Sequence, residues 1–215
     1  MTGRDLRLEN MRLGDLPDLA QLTDVERLFL TRTPLPSLAP LSGLTQLRVL
    51  GLRLTRITDV SALAGLINLE SLVLSFTSVQ DVTPLAGLTR LESLYLTGTL
   101  VSDIAPLTTL TKLTRLDLGG TTVRDITPLA HLTGLESLQL TGTEITSLSP
   151  LSALTSLRVL ELAHTQIEDL SPLLALPALR RLDVRGAPAA RSALLEMMPE
   201  CEVVSGATFR RRPMR

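Results

Sequence analysis

Two histidines, one cysteine and a recurring aspartate are the residues of this chain best suited to catalysis or metal binding. Nucleophile-and-base chemistry needs partners held within hydrogen-bond reach of one another. His131 and His164 stand at unlike positions of neighbouring sequence segments, and neither has triad or metal-ligand spacing. The single Cys201 excludes an intramolecular disulfide and a thiolate zinc cluster, and it reads as a small buried apolar residue. Asp59, Asp81, Asp103, Asp125 and Asp169 each precede a turn, several of them of the Ser/Thr-Pro type. A calcium solenoid needs glycine-rich nonapeptides with closely spaced oxygens, so one carboxylate beside each turn reads as a cap. No Walker loop and no Gly-x-Gly-x-x-Gly is present. The expectation is no catalytic residue, no metal and no cofactor.

The elements that carry these residues are set by a repeat. Leucine pairs fall at Leu44/Leu47, Leu66/Leu69, Leu88/Leu91, Leu110/Leu113, Leu132/Leu135, Leu154/Leu157 and Leu176/Leu179, always 22 residues apart. Within a copy, Leu94-Tyr95-Leu96 alternates in and out with period two, the signature of a short strand. Asp125-Ile126-Thr127-Pro128-Leu129 then starts one helical turn, with Thr127 placed to cap it and Pro128 at its first position. One strand and one turn cannot bury a core alone, but stacked copies can. Seven complete copies cover 22–175, a degenerate copy spans 1–21, and a half copy runs over 176–188. Residues 189–206 read as a C-terminal cap, an amphipathic helix over 189–198 followed by a strand at 201–204, and 207–215 as a basic disordered tail. The solenoid, 1–206, is one domain.

This pattern resembles the bacterial leucine-rich repeat family, above all the 22-residue class of internalins, and also the eukaryotic phosphatase-1 regulatory subunit of that repeat length. The resemblance spans about residues 3–204. It implies an α/β fold: a right-handed solenoid with a parallel sheet on the concave face and short helical turns on the convex face. It also implies a protein that binds other molecules on the sheet. Where most relatives carry asparagine, this chain has Thr33, Thr55, Thr77, Thr99, Thr121, Thr143 and Thr165. Their hydroxyls are expected to link adjacent turns.

The residues that vary between copies could do a different chemistry, that of recognition. Outward-facing strand positions line the concave face. Between the two strand leucines the column carries Phe29, Val73, Tyr95 and Asp117. Two residues earlier it carries Arg27, Val49 and Arg115, and two residues later Arg53. The next column contains Arg32, Leu54 and Phe76. All three aromatics inside the repeats thus share one face, flanked by arginines, as in protein-binding hot spots. Towards the C-terminus the face turns acidic, with Asp117, Glu161 and Asp183. Gly98, Gly120, Gly142 and Gly186 share one slot and suit the backbone at the strand exit.

Composition agrees with a binding solenoid. Leucine fills 51 of 215 positions and threonine 26, with no Trp and one Tyr. The 21 basic and 22 acidic residues leave a net charge of -1, which argues against electrostatic capture of nucleic acid or anionic membrane. The first residues lack the apolar run of a secretion signal, and no stretch suits a membrane span. The expected protein is a cytoplasmic, monomeric, non-enzymatic module or scaffold that holds a protein or long peptide on its concave face. Arrays with this threonine ladder also resemble the C-terminal ligand-sensing ends of NACHT-type ATPases, and a secreted bacterial effector is a further alternative.

Overall fold

Leucines spaced for a two-residue period and then a three-residue turn produce ten strands among the described residues, each three residues long. The computed structural model describes residues 4–192, 196, 198 and 200–206. Its strands are β1 (Asp5–Arg7), β2 (Arg27–Phe29), β3 (Val49–Gly51), β4 (Ser71–Val73), β5 (Ser93–Tyr95), β6 (Arg115–Asp117), β7 (Ser137–Gln139), β8 (Val159–Glu161), β9 (Arg181–Asp183) and β10 (Glu202–Val204). They form one parallel sheet in chain order. Equivalent residues pair all the way, from Leu6 with Leu28 to Leu160 with Leu182. The architecture is the stack of strands and turns that the repeat implied.

The core is a continuous stack of leucines. Leu50, Leu72, Leu94, Leu138 and Leu160 point inward and are fully buried, as are the turn leucines Leu63, Leu85 and Leu107. Removing one such side chain from water contributes about 1.5–3 kcal/mol. The return segments are 3-10 turns, among them Thr83–Leu85, Ala105–Thr109 and Thr127–His131.

Turn capping differs from the sequence expectation in one respect. Thr127 is the first residue of its turn and its side chain does not cap it. Instead Asp125 Oδ1 accepts the Thr127 N–H at 2.8 Å. Asp59, Asp81, Asp103 and Asp169 do the same two residues ahead of their turns, each at 2.8 Å. The aspartates are therefore caps. The hydroxyl and N–H of Thr83 hold the Asp81 carboxyl below its usual range, and those of Thr127 do the same for Asp125.

The threonine ladder also works differently from expectation. Thr55, Thr77, Thr99, Thr121, Thr143 and Thr165 are buried, but each hydroxyl donates to the carbonyl three residues back, at 2.6–2.7 Å. Only Thr33 reaches an adjacent turn, donating to Leu8 O at 2.6 Å. The short side chain satisfies its own strand exit rather than spanning copies.

The two ends differ. At the C-terminus β10 pairs with β9, and Leu179 and Leu182 are buried. The helix expected over 189–198 starts as a 3-10 turn, Pro188–Arg191, which ends at Ser192 in extended backbone. Of the remainder, residues 193–195, 197 and 199 lie outside the described residues, as does the basic tail 207–215. At the N-terminus Leu6, Leu8, Leu16 and Leu22 are only partly buried, and Leu13 is 53% exposed.

Candidate binding surface

The constant register turns sequence columns into rows of adjacent side chains. Phe29, Gly51, Val73, Tyr95 and Asp117 are successive partners across β2 to β6. Arg27, Val49, Ser71, Ser93 and Arg115 form the row beside them. Arg27 and Arg115 are exposed; Phe29, Val49, Val73, Tyr95 and Asp117 are half-buried. Arg53 and Arg32 are exposed further along the strand exits, with Leu54 half-buried beside them. Phe76 is the most exposed apolar residue of the group, at 45%. All eleven candidate residues therefore occupy one side of the sheet.

The row nearest the strand exit has a property that the sequence reading missed. Its backbone is left-handed in every copy: Asn10, Arg32, Leu54, Phe76 and His164 have φ of 56 to 58°, and Gly98, Gly120, Gly142 and Gly186 have φ of 63 to 71°. Glycine adopts this conformation freely, whereas other residues lose roughly 1–2 kcal/mol to the clash of Cβ with the following carbonyl. The slot asks for glycine, and Arg32, Leu54 and Phe76 stand there in three consecutive copies. The signal was present in the sequence as a glycine column whose earlier members are not glycine. What hid it was that the glycines and the variable residues look like separate features until the backbone shows one slot.

Two of the three aromatic rings, Phe29 and Phe76, rest on glycines of the next copy. A Cβ on Gly98 would come within 2.7 Å of the Phe76 ring, and one on Gly51 within 2.9 Å of the Phe29 ring. Arginines cover the rings from the preceding side. The Arg53 guanidinium lies 5.1 Å from the Phe76 centroid, and that of Arg7 lies 4.4 Å from Phe29, with Arg27 at 6.0 Å. Phe29 and Phe76 are each held between a glycine and an arginine, which orders the ring while leaving its edge open.

Charges at the two ends of this face are handled differently. Arg32 and Arg53 have no carboxylate partner among the described residues, and Arg27 has only Asp5 at 3.8 Å. Arg115 Nε donates to Ser93 Oγ at 2.9 Å. The acidic end is neutralised internally. Arg185 forms a two-pronged pair with Asp183, with bonds of 2.6–3.0 Å, and Arg181 lies 3.3 Å from Glu161. Asp117 Oδ1 accepts the Gly119 N–H at 2.9 Å. Burial and the adjacent Asp183 charge push the Glu161 carboxyl up. Asp183 stays below its usual range: burial works against ionisation, but the hydrogen bonds and charge of Arg185 outweigh it.

Among the described residues no group of three or more His, Cys, Asp or Glu could hold a metal. His131 ends its turn on the surface, and the exposed His164 ring lies against Gly186. Burial pushes the half-buried Cys201 thiol up to about 11, which favours its protonated form at neutral pH. A depression of about 210 Å³ lies on a flank of the solenoid rather than in the concave face. It is lined by Glu26, Gln46, Arg48, Asn68, Glu70 and Arg90, with Arg48 bonded to Glu70 at 2.6 Å and Arg90 to Asn68 at 2.8 Å across successive copies. No helix among the described residues is long and apolar enough to cross a membrane.

Comparisons with known proteins agree with this geometry. A family model described as Leucine Rich repeats (2 copies) matches residues 67–109, 89–131 and 133–175. No curated protein sequence matches significantly. Among solved structures, internalin C2 from Listeria monocytogenes is 39% identical with a TM-score of 0.73, over 75% of this chain and 71% of that one. A second Listeria monocytogenes internalin, InlF, is 26% identical with a TM-score of 0.57, over 94% of this chain and 79% of that one. A leucine-rich repeat protein from Leptospira interrogans shares the fold, with a TM-score of 0.81 at 19% identity, over 94% of this chain and 59% of that one. The leucine stack, the parallel sheet and these matches together place the chain in the leucine-rich repeat family, as an array of the internalin-like kind.

Proposed function

We propose that this chain is a non-enzymatic binding module, acting in the cytoplasm, that holds a protein or long peptide on its concave sheet. One observation carries the reading. In three consecutive copies a glycine-type backbone slot holds Arg32, Leu54 and Phe76, and Phe76 is 45% exposed. Side chains kept at an unfavourable backbone position and left open to solvent suggest a use outside the fold. The centre of contact is Phe29, Arg53, Phe76 and Tyr95, with Arg27, Arg32, Val49, Leu54, Val73, Arg115 and Asp117 around it. Ten strands at about 4.8 Å spacing give a face roughly 45 Å long, the scale of a folded domain or an extended peptide. The free arginines favour a partner with carboxylates, which guanidinium groups bind with directed hydrogen bonds.

The test is affinity capture with the intact chain, comparing Phe76→Ser with the convex-side change Arg124→Ala. Loss of the captured partner with Phe76→Ser alone supports the reading. Equal loss with both, or with neither, moves the site off the concave face.

A further inference from the structure

We propose that the edge of β1 left unpaired among the described residues pairs with the β1 edge of a second copy, joining two solenoids end to end through their N-terminal faces. Among the described residues β1 is a terminal strand of the sheet, with β2 on one side only. In a parallel ladder alternate residues bond to opposite neighbours. Arg4 O, Leu8 N and Asn10 N all bond to the β2 side. The N–H and C=O groups of Asp5 and Arg7 therefore point away from β2 and lack ladder partners, as in any strand edge open to addition.

The same end carries unburied core. Leu6, Leu8, Leu16 and Leu22 are partly exposed and Leu13 is 53% exposed, while at the other end Leu179 is at 3% and Leu182 at 0% beneath β9 and β10. An edge with an apolar end beside it invites a partner that continues both the sheet and the core.

Charge selects the occupant. Two copies related by a two-fold axis pair their β1 strands antiparallel. If the axis passes at Leu6, Asp5 of each copy faces Arg7 of the other as a hydrogen-bonded pair, and the two Leu6 side chains meet between them. Asp5-Leu6-Arg7 is then complementary to itself. An axis at Arg7 would set Arg7 against Arg7 and Asp5 against Glu9, which opposes pairing. An axis at Leu8 would match Arg7 with Glu9, but Glu9 lies beyond the end of β1. Within one copy Asp5 and Arg7 are held only loosely, to Arg27 at 3.8 Å and Glu9 at 3.6 Å, with Arg7 also over Phe29. Both side chains can turn to the second copy. The joined sheets would present two concave faces on the same side, which gives a long partner two linked sites.

Sedimentation velocity of the purified chain at low salt tests this, with Asp5→Arg and Arg7→Asp as variants. The wild-type chain is expected to dimerise as concentration rises. Each single variant replaces two attractions by two repulsions and should dimerise at least roughly tenfold more weakly. Mixing the two variants should restore the dimer, because one then brings two cations and the other two anions to the edge. The double variant Asp5→Arg/Arg7→Asp should also dimerise, since the strand is again self-complementary. Circular dichroism melts of all variants at dilutions where the wild type is monomeric should match the wild type, since both side chains are exposed. A wild-type chain that stays monomeric up to millimolar concentration overturns the proposal. So does a dimer indifferent to both substitutions, or one that mixing fails to restore.

Discussion

The two halves of the concave face are built on the same backbone and filled differently. In the N-terminal half the strand-exit slot holds Arg32, Leu54 and Phe76, and the arginines nearby lack firm carboxylate partners. In the next three copies the same slot holds Gly98, Gly120 and Gly142. Further on, the charges close on one another through Arg181 with Glu161 and Arg185 with Asp183. A stack of near-identical units therefore does not imply a uniform surface. The leucines bear the stability in every copy, so the outward positions are free to diverge into an open half and a self-satisfied half.

The largest expected effect is on partner binding. Phe76→Ser or Arg53→Ala should weaken it by about 2 kcal/mol, roughly thirtyfold, by titration calorimetry, whereas Gln139→Ala on β7 should change it little. Equal losses in the two halves would erase the distinction between them.

A glycine pair sharpens the same point. Gly98→Ala and Gly120→Ala both place a Cβ on backbone at φ +63°, and each should cost about 1 kcal/mol of stability by urea denaturation. Only at Gly98 does that Cβ meet the Phe76 ring; at Gly120 nothing lies closer than 3.8 Å. Gly98→Ala should therefore also weaken binding by displacing the ring, and Gly120→Ala should not.

In the closed half the expected loss is of stability rather than binding. Asp183 is 1% exposed and bound by Arg185. Asp183→Ala should lower stability by about 1.5 kcal/mol, toward the low end for charge-assisted bonds because the Arg185 side chain is 56% exposed. Partner affinity should be retained.

The smallest effect is a pH trend. Glu161 holds its proton more readily when folded, so its carboxyl favours folding at low pH. That favour is lost as pH rises from the ordinary glutamate range through the raised value. Asp183 runs the other way: its contribution is present above the ordinary aspartate range and lost as pH falls through its lowered value. In Glu161→Gln the amide can donate to Asp183 without ionising. The melting temperature of this variant relative to wild type should rise between about pH 4 and pH 7, and a flat difference would show that Glu161 is not perturbed.

Much of the fold was legible because the repeat has no insertion. An unvarying step of 22 residues fixes register, since each Leu-x-Leu must set its leucines inward beside those of the next copy. The aspartate caps were legible for the same reason: a carboxylate just ahead of a turn can reach the free N–H two residues on. The candidate surface was legible as columns, because alternation decides which side chains face out. Whether a hydroxyl at Thr55 bonds within its own copy or to the next depends on reach, which composition and spacing do not contain.

By itself, then, the sequence determined the solenoid, its core and the set of residues on its open face, because periodic burial admits one arrangement of short strands and turns. Tertiary structure alone decided the rest. It showed that Phe76 and Gly98 share one left-handed slot and lie in contact, because φ and ring placement belong to the folded backbone. It also decided that Glu161 pairs with Arg181 of the neighbouring strand and Asp183 with Arg185 two residues on, because ion pairing depends on distances between folded side chains.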